Sequence, residues 1–431
     1  MNQETLAQAV QALNASQWMR SEQIAAQQHA DLVRLAKHCE VYSTHFRMRL
    51  QAAELTPDDL SAPENLTRLP LLLRRDLQRA TNLFCTGVPT AHLPTFETKT
   101  SGSTGEPVMV RRTQLNQLDW LATTMREHIW HERDFARSFC AIRANISTPT
   151  QIPTWGPPAS LLRQTGPALG LPITMSIEDQ IAHIAKFKPN TLLVYPSNLA
   201  GLVQHCGGRE IRLPGVTKVL TIGETLSPAT REQAAALFDV EISDMYSSQE
   251  AGNIAIQCPE MDLYHVMAEN LIVEVLDENG AAACVGQIGR VVITDLHNFA
   301  TPLIRYDIGD YAEAGPACPC GRGLPTLKRI LGRERNLIRM PDGSRHWPLV
   351  GFHKFREIAP IVQYQMIQED REHIELRLVT ERPLTQDEER TLTVHVQASL
   401  GHAFELRISY FDGEIPKGTN GKFEEFLCRA V

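Results

Sequence analysis

The stretch Thr98-Lys99-Thr100-Ser101-Gly102-Ser103-Thr104-Gly105-Glu106-Pro107 is the most informative part of this chain. Between residues 100 and 105, two glycines are interleaved with four hydroxyl residues. The backbone N–H and side-chain O–H groups of such a loop can surround a polyphosphate. It is not a Walker loop, in which Gly-Lys-Ser/Thr opens a helix. Because a stretch of this composition is a linker in most proteins, the remainder of the chain has to decide between the two interpretations.

Composition excludes several classes of protein. A chain of 431 residues is expected to form two or more domains. With 43% apolar and 21% charged residues and a net charge of −8, it resembles an ordinary globular protein and lacks the basic surface needed for nucleic acid or anionic membranes. We expect no signal peptide at Met1 and no membrane-spanning helix. These patterns, with nine cysteines, predict a cytoplasmic protein.

From about residue 135, short apolar runs alternate with helical patterns. Residues 191–195 and 216–222 read as strands, and residues 199–205 and 228–238 as the helices that follow them. This alternation predicts an α/β fold with mostly parallel strands, helices on both faces, and ligands at the carboxyl ends of the strands. Residues 271–276 and 289–294 predict a small antiparallel part.

The last hundred residues predict a separate unit. Residues 361–368, 373–379 and 405–410 read as strands and residues 385–399 as an amphipathic helix. We therefore expect a large domain over residues 1–330 and a small mobile α+β domain over residues 331–431. The hinge is predicted between Leu327 and Arg333.

Three charged positions have an ordinary explanation when each is taken alone. Glu250 ends the segment Asp244-Met245-Tyr246-Ser247-Ser248-Gln249-Glu250, and suits either Mg²⁺ near phosphates or the start of a helix. Asp310 follows Gly309, where a hairpin turn is as good an explanation as a ligand-binding carboxylate. Lys422 lies in the glycine-rich run 416–422, where a lysine is usually just solvated.

The order of these elements resembles the signature of the adenylate-forming superfamily. That superfamily contains acyl-CoA ligases, the adenylation domains of peptide synthetases and luciferases. The elements extend over nearly the whole chain: the hydroxyl–glycine loop, Gly223-Glu224, Tyr246 to Glu250, Gly309-Asp310, Gly332-Arg333 and Gly421-Lys422. Thr-Ser-Gly-Ser-Thr-Gly and the Pro-Leu-Ile-Arg-Tyr run of residues 302–306 are similar to the phenylacetate–CoA ligase-like branch.

The resemblance implies an ATP site with defined roles. Thr100, Ser101, Gly102, Ser103, Thr104 and Gly105 would surround the β- and γ-phosphates. The adenine pocket would be lined by Glu224, Asp244, Met245, Tyr246 and Ser247. Glu250 would coordinate Mg²⁺, Asp310 would bind the ribose hydroxyls with Arg333 nearby, and Lys422 would reach the reacting carboxylate and the α-phosphate. Asp307 departs from the pattern, and its negative charge near a polyanion requires a local partner.

Four Cys and His residues suggest a second site. Cys258 and His265 follow the Glu250 segment, and Cys318 and Cys320 follow Asp310. Three thiolates and an imidazole form a complete ligand set for a structural Zn²⁺, and members of this ligase branch often carry a similar set. The alternative is four unrelated residues, with Cys258 and Cys318 as small buried apolar side chains.

The expected acid pocket is mostly apolar. Tyr195, Pro196, Ile222 and Gly223 would border it, together with residues 155–158. Such a lining suits an aryl or arylacetic acid better than a charged amino acid.

The function predicted from the sequence is ATP-dependent activation of a carboxylic acid. The enzyme would be an AMP-forming acid–thiol ligase that forms an acyl-adenylate and pyrophosphate, then transfers the acyl group, with CoA as the favoured acceptor. An amine or a carrier protein is the alternative acceptor, and the turn Pro341-Asp342-Gly343 departs from CoA ligases of this branch. A zinc-bearing scaffold with an inactive ATP site is a different possibility. The acid, the pathway and the oligomeric state are not specified, and a homodimer is compatible with the chain.

Overall fold

The computed structural model describes residues 2–79, 82–99, 107–207, 209, 211–333, 337–346, 354–413, 415–416 and 425–430. The predicted phosphate loop, Thr100 to Gly105, and the predicted catalytic Lys422 lie outside the described residues. Their roles therefore stay predictions.

Helices occupy most of the first 80 described residues and then alternate with strands. Their bounds are α1 Gln3–Ser16, α2 Ser21–Tyr42, α3 Thr44–Ala52, α4 Pro63–Arg68, α5 Arg74–Arg79, α6 Gln114–Trp130, α7 Ala159–Leu162, α8 Ile177–Phe187, α9 Pro196–Gly207, α10 Pro228–Phe238, α11 Phe355–Ile358 and α12 Gln386–Leu400. In the described part of the chain, no helix combines the length and apolar character needed to cross a bilayer.

The strands form one large sheet and three smaller ones. Their bounds are β1 Thr95–Lys99, β2 Met109–Thr113, β3 Phe139–Arg143, β4 Thr150–Ile152, β5 Ala168–Pro172, β6 Thr191–Val194, β7 Lys218–Ile222, β8 Glu241–Ser248, β9 Gly252–Gln257, β10 Tyr264–Val266, β11 Leu271–Leu276, β12 Ile288–Asp295, β13 Tyr306–Ala314, β14 Thr326–Arg333, β15 Ile338–Arg339, β16 Arg345–His346, β17 Ile361–Gln368, β18 His373–Thr380, β19 Glu405–Tyr410 and β20 Phe426–Cys428. The large sheet has twelve strands in the order β11-β12-β13-β14-β10-β9-β8-β7-β6-β3-β5-β4.

The parallel part of this sheet confirms the predicted α/β fold. Strands β5, β3, β6, β7 and β8 are parallel neighbours. Local sequence explains the helices between them. Before α10, for example, the Ser227 hydroxyl accepts a hydrogen bond from the Thr230 amide at 3.2 Å, and Pro228 occupies the first helical position. Apolar side chains such as Val194 and Val219 pack between the sheet and helices α8 to α10.

The antiparallel part is joined to the parallel part through one short strand. Strands β11, β12, β13 and β14 pair antiparallel in sequence, as predicted for residues 271–276 and 289–294. Strand β10 then connects β14 to β9. Its ladder with β14 contains only two residue pairs, Tyr264 with Leu327 and His265 with Thr326.

The C-terminal residues form the predicted small α+β unit. Strands β19, β18, β17 and β20 make a separate four-stranded sheet with its own apolar cluster, which includes Leu392 and Val396 of α12. The sequence did not predict β20. The stretch between Leu327 and Arg333, where the hinge is predicted, lies in strand β14 and pairs with β13. The hinge and the boundary at residue 330 stay predictions.

Candidate active site

The strand ends open into one cavity of about 2680 Å³. In the parallel register, Ala141 of β3 lies beside Leu193 of β6, and β7 continues the same alignment. Two residues further on, Arg143, Tyr195 and Ile222 therefore form one row across the strand ends, and Met245 of β8 continues it. All four residues of the row line the cavity. The cavity thus follows the edge at which parallel α/β sheets bind ligands.

Tyr246, Asp310 and Arg333 form a connected group at one end of the cavity. The Tyr246 hydroxyl donates to Oδ2 of Asp310 at 2.8 Å, and Nε of Arg333 lies 3.1 Å from Oδ1. Asp310 and Arg333 face each other directly on β13 and β14, so Asp310 lies within a strand rather than in the hairpin turn considered from sequence. Burial raises the pKa of Tyr246, and the Asp310 carboxylate raises it further. The tyrosine therefore stays a hydrogen-bond donor to the carboxylate.

Glu250 lies beside this group and is almost fully buried. Its Oε1 is 3.6 Å from Nη1 of Arg74 and has no hydrogen-bond partner among the described residues. Burial raises the pKa of Glu250, while Arg333 and Arg74 act in the opposite direction. A buried carboxylate oxygen without a hydrogen bond is costly alone, and a divalent cation with oxygen ligands is the type of group that would satisfy it. The geometry at Glu250 therefore fits Mg²⁺.

Arg74 is a residue of the candidate site that no sequence motif identifies. It begins α5, far from Glu250 in sequence, and belongs to none of the motifs. Its segment is held against β13, because the Leu72 amide donates to the Arg305 carbonyl at 2.8 Å and the Asp307 amide donates to the Leu72 carbonyl at 2.9 Å. The N-terminal region thus contributes a guanidinium to the cavity.

Asp307 has the local partner that its charge requires. Its Oδ2 lies 3.1 Å from Nη1 of Arg290 on the neighbouring strand β12. The carboxylate is therefore neutralised within the antiparallel part.

The predicted adenine-pocket residues separate into two kinds. Met245, Ser247 and Glu224 line the cavity, and Oε2 of Glu224 accepts a hydrogen bond from the Ser197 amide at 2.9 Å. Asp244 also borders the cavity, but its carboxylate accepts hydrogen bonds from Thr221 at 2.6 Å and Tyr264 at 2.8 Å. The Asp244 carboxylate therefore has partners within the protein, and its proposed contact with adenine stays a prediction.

The predicted acid pocket lies further along the same face of the sheet. Tyr195, Pro196, Ile222 and Gly223 all line the cavity. Because side chains alternate between the faces of a strand, Phe139, Ala141, Leu193 and Leu220 form an apolar floor beneath the row. Trp155 forms a wall: its ring lies 4.8 Å from that of Phe139 and 5.6 Å from that of His128. Burial lowers the pKa of His128, which favours its neutral form. This part of the cavity wall is mostly apolar or aromatic, and its role as the acid pocket stays a prediction.

A buried polar cluster holds the hairpin from which the predicted phosphate loop extends. Strands β1 and β2 flank that loop, and α6 follows β2 directly. On α6, Asn116 donates to both oxygens of Asp295, at 3.2 and 3.3 Å. One helical turn on, Asp119 is 2.8 Å from Nδ1 of His297. Burial alone would lower the pKa of His297, but the Asp119 carboxylate raises it to about 9. The imidazolium–carboxylate pair thus fastens α6 to the end of β12.

The four predicted metal ligands come together beside strand β10. The ligand atoms of Cys258, His265, Cys318 and Cys320 all lie within 4.8 Å of one another. Nε2 of His265 is 3.4 Å from the Cys320 sulfur, and burial lowers the pKa of His265 to about 4. A neutral imidazole with three thiols is a suitable donor set for structural zinc. The alternative of four unrelated residues does not explain why they converge.

Next to these ligands, Arg322 connects the loop to the N-terminal helices. Its guanidinium lies over the rings of Trp18 and Trp130, at 4.9 and 4.7 Å. Both Arg322 Nε and Trp130 Nε1 donate to the Gln17 side-chain oxygen, at 3.1 and 2.8 Å. Arg322 therefore links the β13–β14 connection, which carries Cys318 and Cys320, to α6 and to the segment between α1 and α2.

Comparisons with known proteins agree with this architecture. Residues 350–427 match the family model described as the CapK C-terminal domain. The phenylacetate–coenzyme A ligase of Thermus thermophilus is 25% identical over 331 residues, covering 74% of this chain and 72% of that protein. A crystal structure of 2-hydroxyisobutyryl-CoA ligase in the postadenylation state shares the fold, with a TM-score of 0.75, 17% identity, and coverage of 93% of this chain and 88% of that one.

The chain is thus similar to phenylacetate–CoA ligases, which are CoA ligases of the adenylate-forming superfamily.

Within the adenylate-forming superfamily, its similarity is to the phenylacetate–CoA ligase-like branch, as the motifs indicated. The same 2-hydroxyisobutyryl-CoA ligase, solved with CoA in the thioesterification state, matches with a TM-score of 0.63 at 18% identity, covering 96% of this chain and 91% of that one. Both comparisons show the same fold.

Proposed function

We propose that this protein is an AMP-forming acid–thiol ligase. It activates a carboxylic acid with ATP, releasing pyrophosphate, and then transfers the acyl group to CoA. The observation that carries the proposal is the convergence of Tyr246, Glu250, Asp310 and Arg333 at one end of a cavity whose other part is the apolar pocket.

The charges of this group suit the first half-reaction. A carboxylate must approach a tetra-anionic nucleotide, so the site has to neutralise charge while it aligns the attack on the α-phosphorus. Asp310, held between Tyr246 and Arg333, presents oxygens to the ribose hydroxyls. Mg²⁺ bound at Glu250 would supply positive charge to the phosphates. Arg74 and Arg333 flank that carboxylate and add two fixed guanidinium groups at the cavity wall.

CoA is the acceptor that the relatives support. The relative from Thermus thermophilus and the solved structural neighbour are both named as CoA ligases. An amine or a carrier protein is the second candidate, because the turn at Pro341-Asp342-Gly343 departs from the branch pattern. If the protein were a scaffold with an inactive ATP site, its site residues would be expected to be damaged. Instead, Glu250 is paired with Arg74 and Asp310 with Arg333. We further propose that the small domain rotates between the two steps, with Lys422 serving adenylation.

The Cys/His group is proposed as a structural zinc site. Cys258, His265, Cys318 and Cys320 would fill all four tetrahedral positions, so a bound ion has no open position for catalysis. Its contribution would be to the stability of the β9–β10 and β13–β14 connections.

Product analysis tests the proposed function. The protein is incubated with ATP, Mg²⁺ and a panel of aryl and alkyl carboxylic acids, with and without CoA, and pyrophosphate is measured alongside ADP. We expect acid-dependent pyrophosphate release that is abolished in Glu250→Gln, and acyl-CoA when CoA is present. The fold of the variant is checked by thermal denaturation. ADP formation, or release that is the same in Glu250→Gln, would contradict the proposal.

A further inference from the structure

The arginine at the end of β3 has a position that the fold alone does not explain. Among the described residues, the Arg143 guanidinium has no hydrogen-bond acceptor or carboxylate partner, and its Nε is buried. Two other arginines that line the cavity have a carboxylate partner: Arg74 is paired with Glu250, and Arg333 is paired with Asp310. A half-buried guanidinium without an acceptor is unfavourable. The missing acceptor is therefore expected to arrive with a ligand.

The position of Arg143 within the row identifies the part of the ligand it would meet. It lies beside Tyr195, at the end of the row opposite Met245. Three strand spacings of about 4.8 Å separate β3 from β8, which places the two backbones about 14 Å apart. The ATP-binding group of Tyr246 and Asp310 lies at the β8 end. An acid whose reacting carboxylate points to that end would extend along the row towards Arg143.

The floor between the two ends is apolar. Phe139, Ala141, Leu193 and Leu220 lie beneath the row, and the Trp155 ring stands over Phe139. Ala141 is the smallest of these and leaves room for a ring or a short chain. The pocket therefore accepts an apolar body and ends in a cation.

We propose that Arg143 binds a second anionic group of the acid, remote from the carboxylate that is activated. This inference rests on the proposed function and narrows its substrate class to acids with an apolar body and a distal carboxylate or similar anionic oxygen group. A guanidinium holds a carboxylate through two parallel hydrogen bonds. A monocarboxylic acid would leave Arg143 desolvated and without a partner, so the pocket discriminates against it.

Matched pairs of acids test this inference without CoA. Each dicarboxylic acid, aromatic or straight-chain, is compared with the monocarboxylic acid that lacks its distal group, with pyrophosphate release as the readout. The variants are Arg143→Gln, Arg143→Lys and the control Arg390→Gln. Arg390 lies on α12 with 76% of its side chain exposed and is not among the residues that line the cavity. Its replacement makes the same change in net charge as Arg143→Gln.

We expect the wild type to prefer the dicarboxylic member of a pair. In Arg143→Gln, kcat/KM for that acid falls by about 10- to 100-fold, mainly through KM, while the monocarboxylic acid is unaffected. Arg143→Lys restores part of the loss, and Arg390→Gln changes the kcat/KM of neither acid. Partial recovery of kcat/KM in Arg143→Lys, together with the change in KM, distinguishes recognition of the distal anion from a purely structural role of Arg143.

Several results would overturn the inference. Equal use of both acids by the wild type would do so and would leave the proposed function standing. An equal loss for both acids in Arg143→Gln would assign the arginine to structure. If only the KM for CoA rises when CoA is added, the anion is a CoA phosphate rather than part of the acid. No pyrophosphate with any acid would refute both the inference and the proposed function.

Discussion

The Asp119–His297 pair behind the phosphate-loop hairpin makes stability depend on pH in a defined window. Replacing His297 with Gln retains a polar side chain beside Asp119 but removes the charge. The imidazole is mostly buried, with 16% of its side chain exposed, so solvent screens the pair only weakly. We therefore expect a pH-dependent loss of stability in His297→Gln.

The magnitude and sign follow from the pKa of His297. Its rise from 6.5 to about 9 in the folded protein corresponds to about 3 kcal/mol of unfolding free energy. Because the folded pKa lies above the unfolded one, this stabilisation is complete below pH 6.5 and is lost as the pH rises towards 9. Burial raises the pKa of neighbouring Asp295 to about 6. The Asp295 carboxyl group therefore loses its proton at a lower pH than His297 does. Its pH-dependent contribution to the unfolding free energy is already lost at pH 7.

Urea unfolding at pH 6, 7.5 and 9 measures the effect. The difference in unfolding free energy between wild type and His297→Gln should be about 3 kcal/mol at pH 6, about 2 at pH 7.5 and below about 0.5 at pH 9. His373→Gln is the control, because His373 also faces an aspartate but at the exposed surface. A His297 difference that does not change with pH, or one that grows towards pH 9, would refute the reasoning.

Three further predictions concern the two sites. Tyr246→Phe removes a buried hydrogen bond to Asp310 and should raise the KM for ATP by about 10-fold; an unchanged KM in pyrophosphate-release assays would show that Asp310 does not need this donor. Cys258→Ser should lose about one equivalent of bound zinc and lower the unfolding temperature, as followed by elemental analysis and thermal denaturation. The control Cys284→Ser, at an exposed cysteine, should change neither the zinc content nor the unfolding temperature. Full zinc content in Cys258→Ser would contradict the proposed zinc site. Lys422→Ala should slow acid-dependent pyrophosphate release by about 10²- to 10³-fold, on the scale of an oxyanion-hole donor. Retained adenylation with lost thioester formation would instead assign Lys422 to the second step.

Local signals in the sequence were sufficient for much of the fold. The helix over residues 228–238 was predictable because Ser227 caps it and Pro228 suits its first turn. Strands such as β17 and β19 have the alternation and β-branched content that predict their bounds. The pairing of residues 327–333 with β13 was not predictable, because it depends on a strand register that local sequence does not specify.

Only the site residues that belong to sequence motifs were predictable. The order of the glycine, tyrosine and acidic elements placed Tyr246, Glu250 and Asp310 in one site. The contact between Arg74 and Glu250 was not predictable, because it joins segments that are remote in sequence and depends on Leu72 docking against β13. The position of Arg143 likewise follows from strand register, which sequence composition does not specify.

The short ladder between β10 and β14 has a consequence for what a metal ion at the proposed Cys/His site would do. Tyr246 and Glu250 belong to one side of that ladder, and Asp310 and Arg333 to the other. His265 lies on the joining strand itself, with Cys258 and Cys320 on the connections either side of it. An ion bound there would link the strands that carry the two parts of the proposed nucleotide site, although the ion itself would not contact a substrate. Loss of this ion is therefore expected to weaken ATP binding well before it causes the protein to unfold.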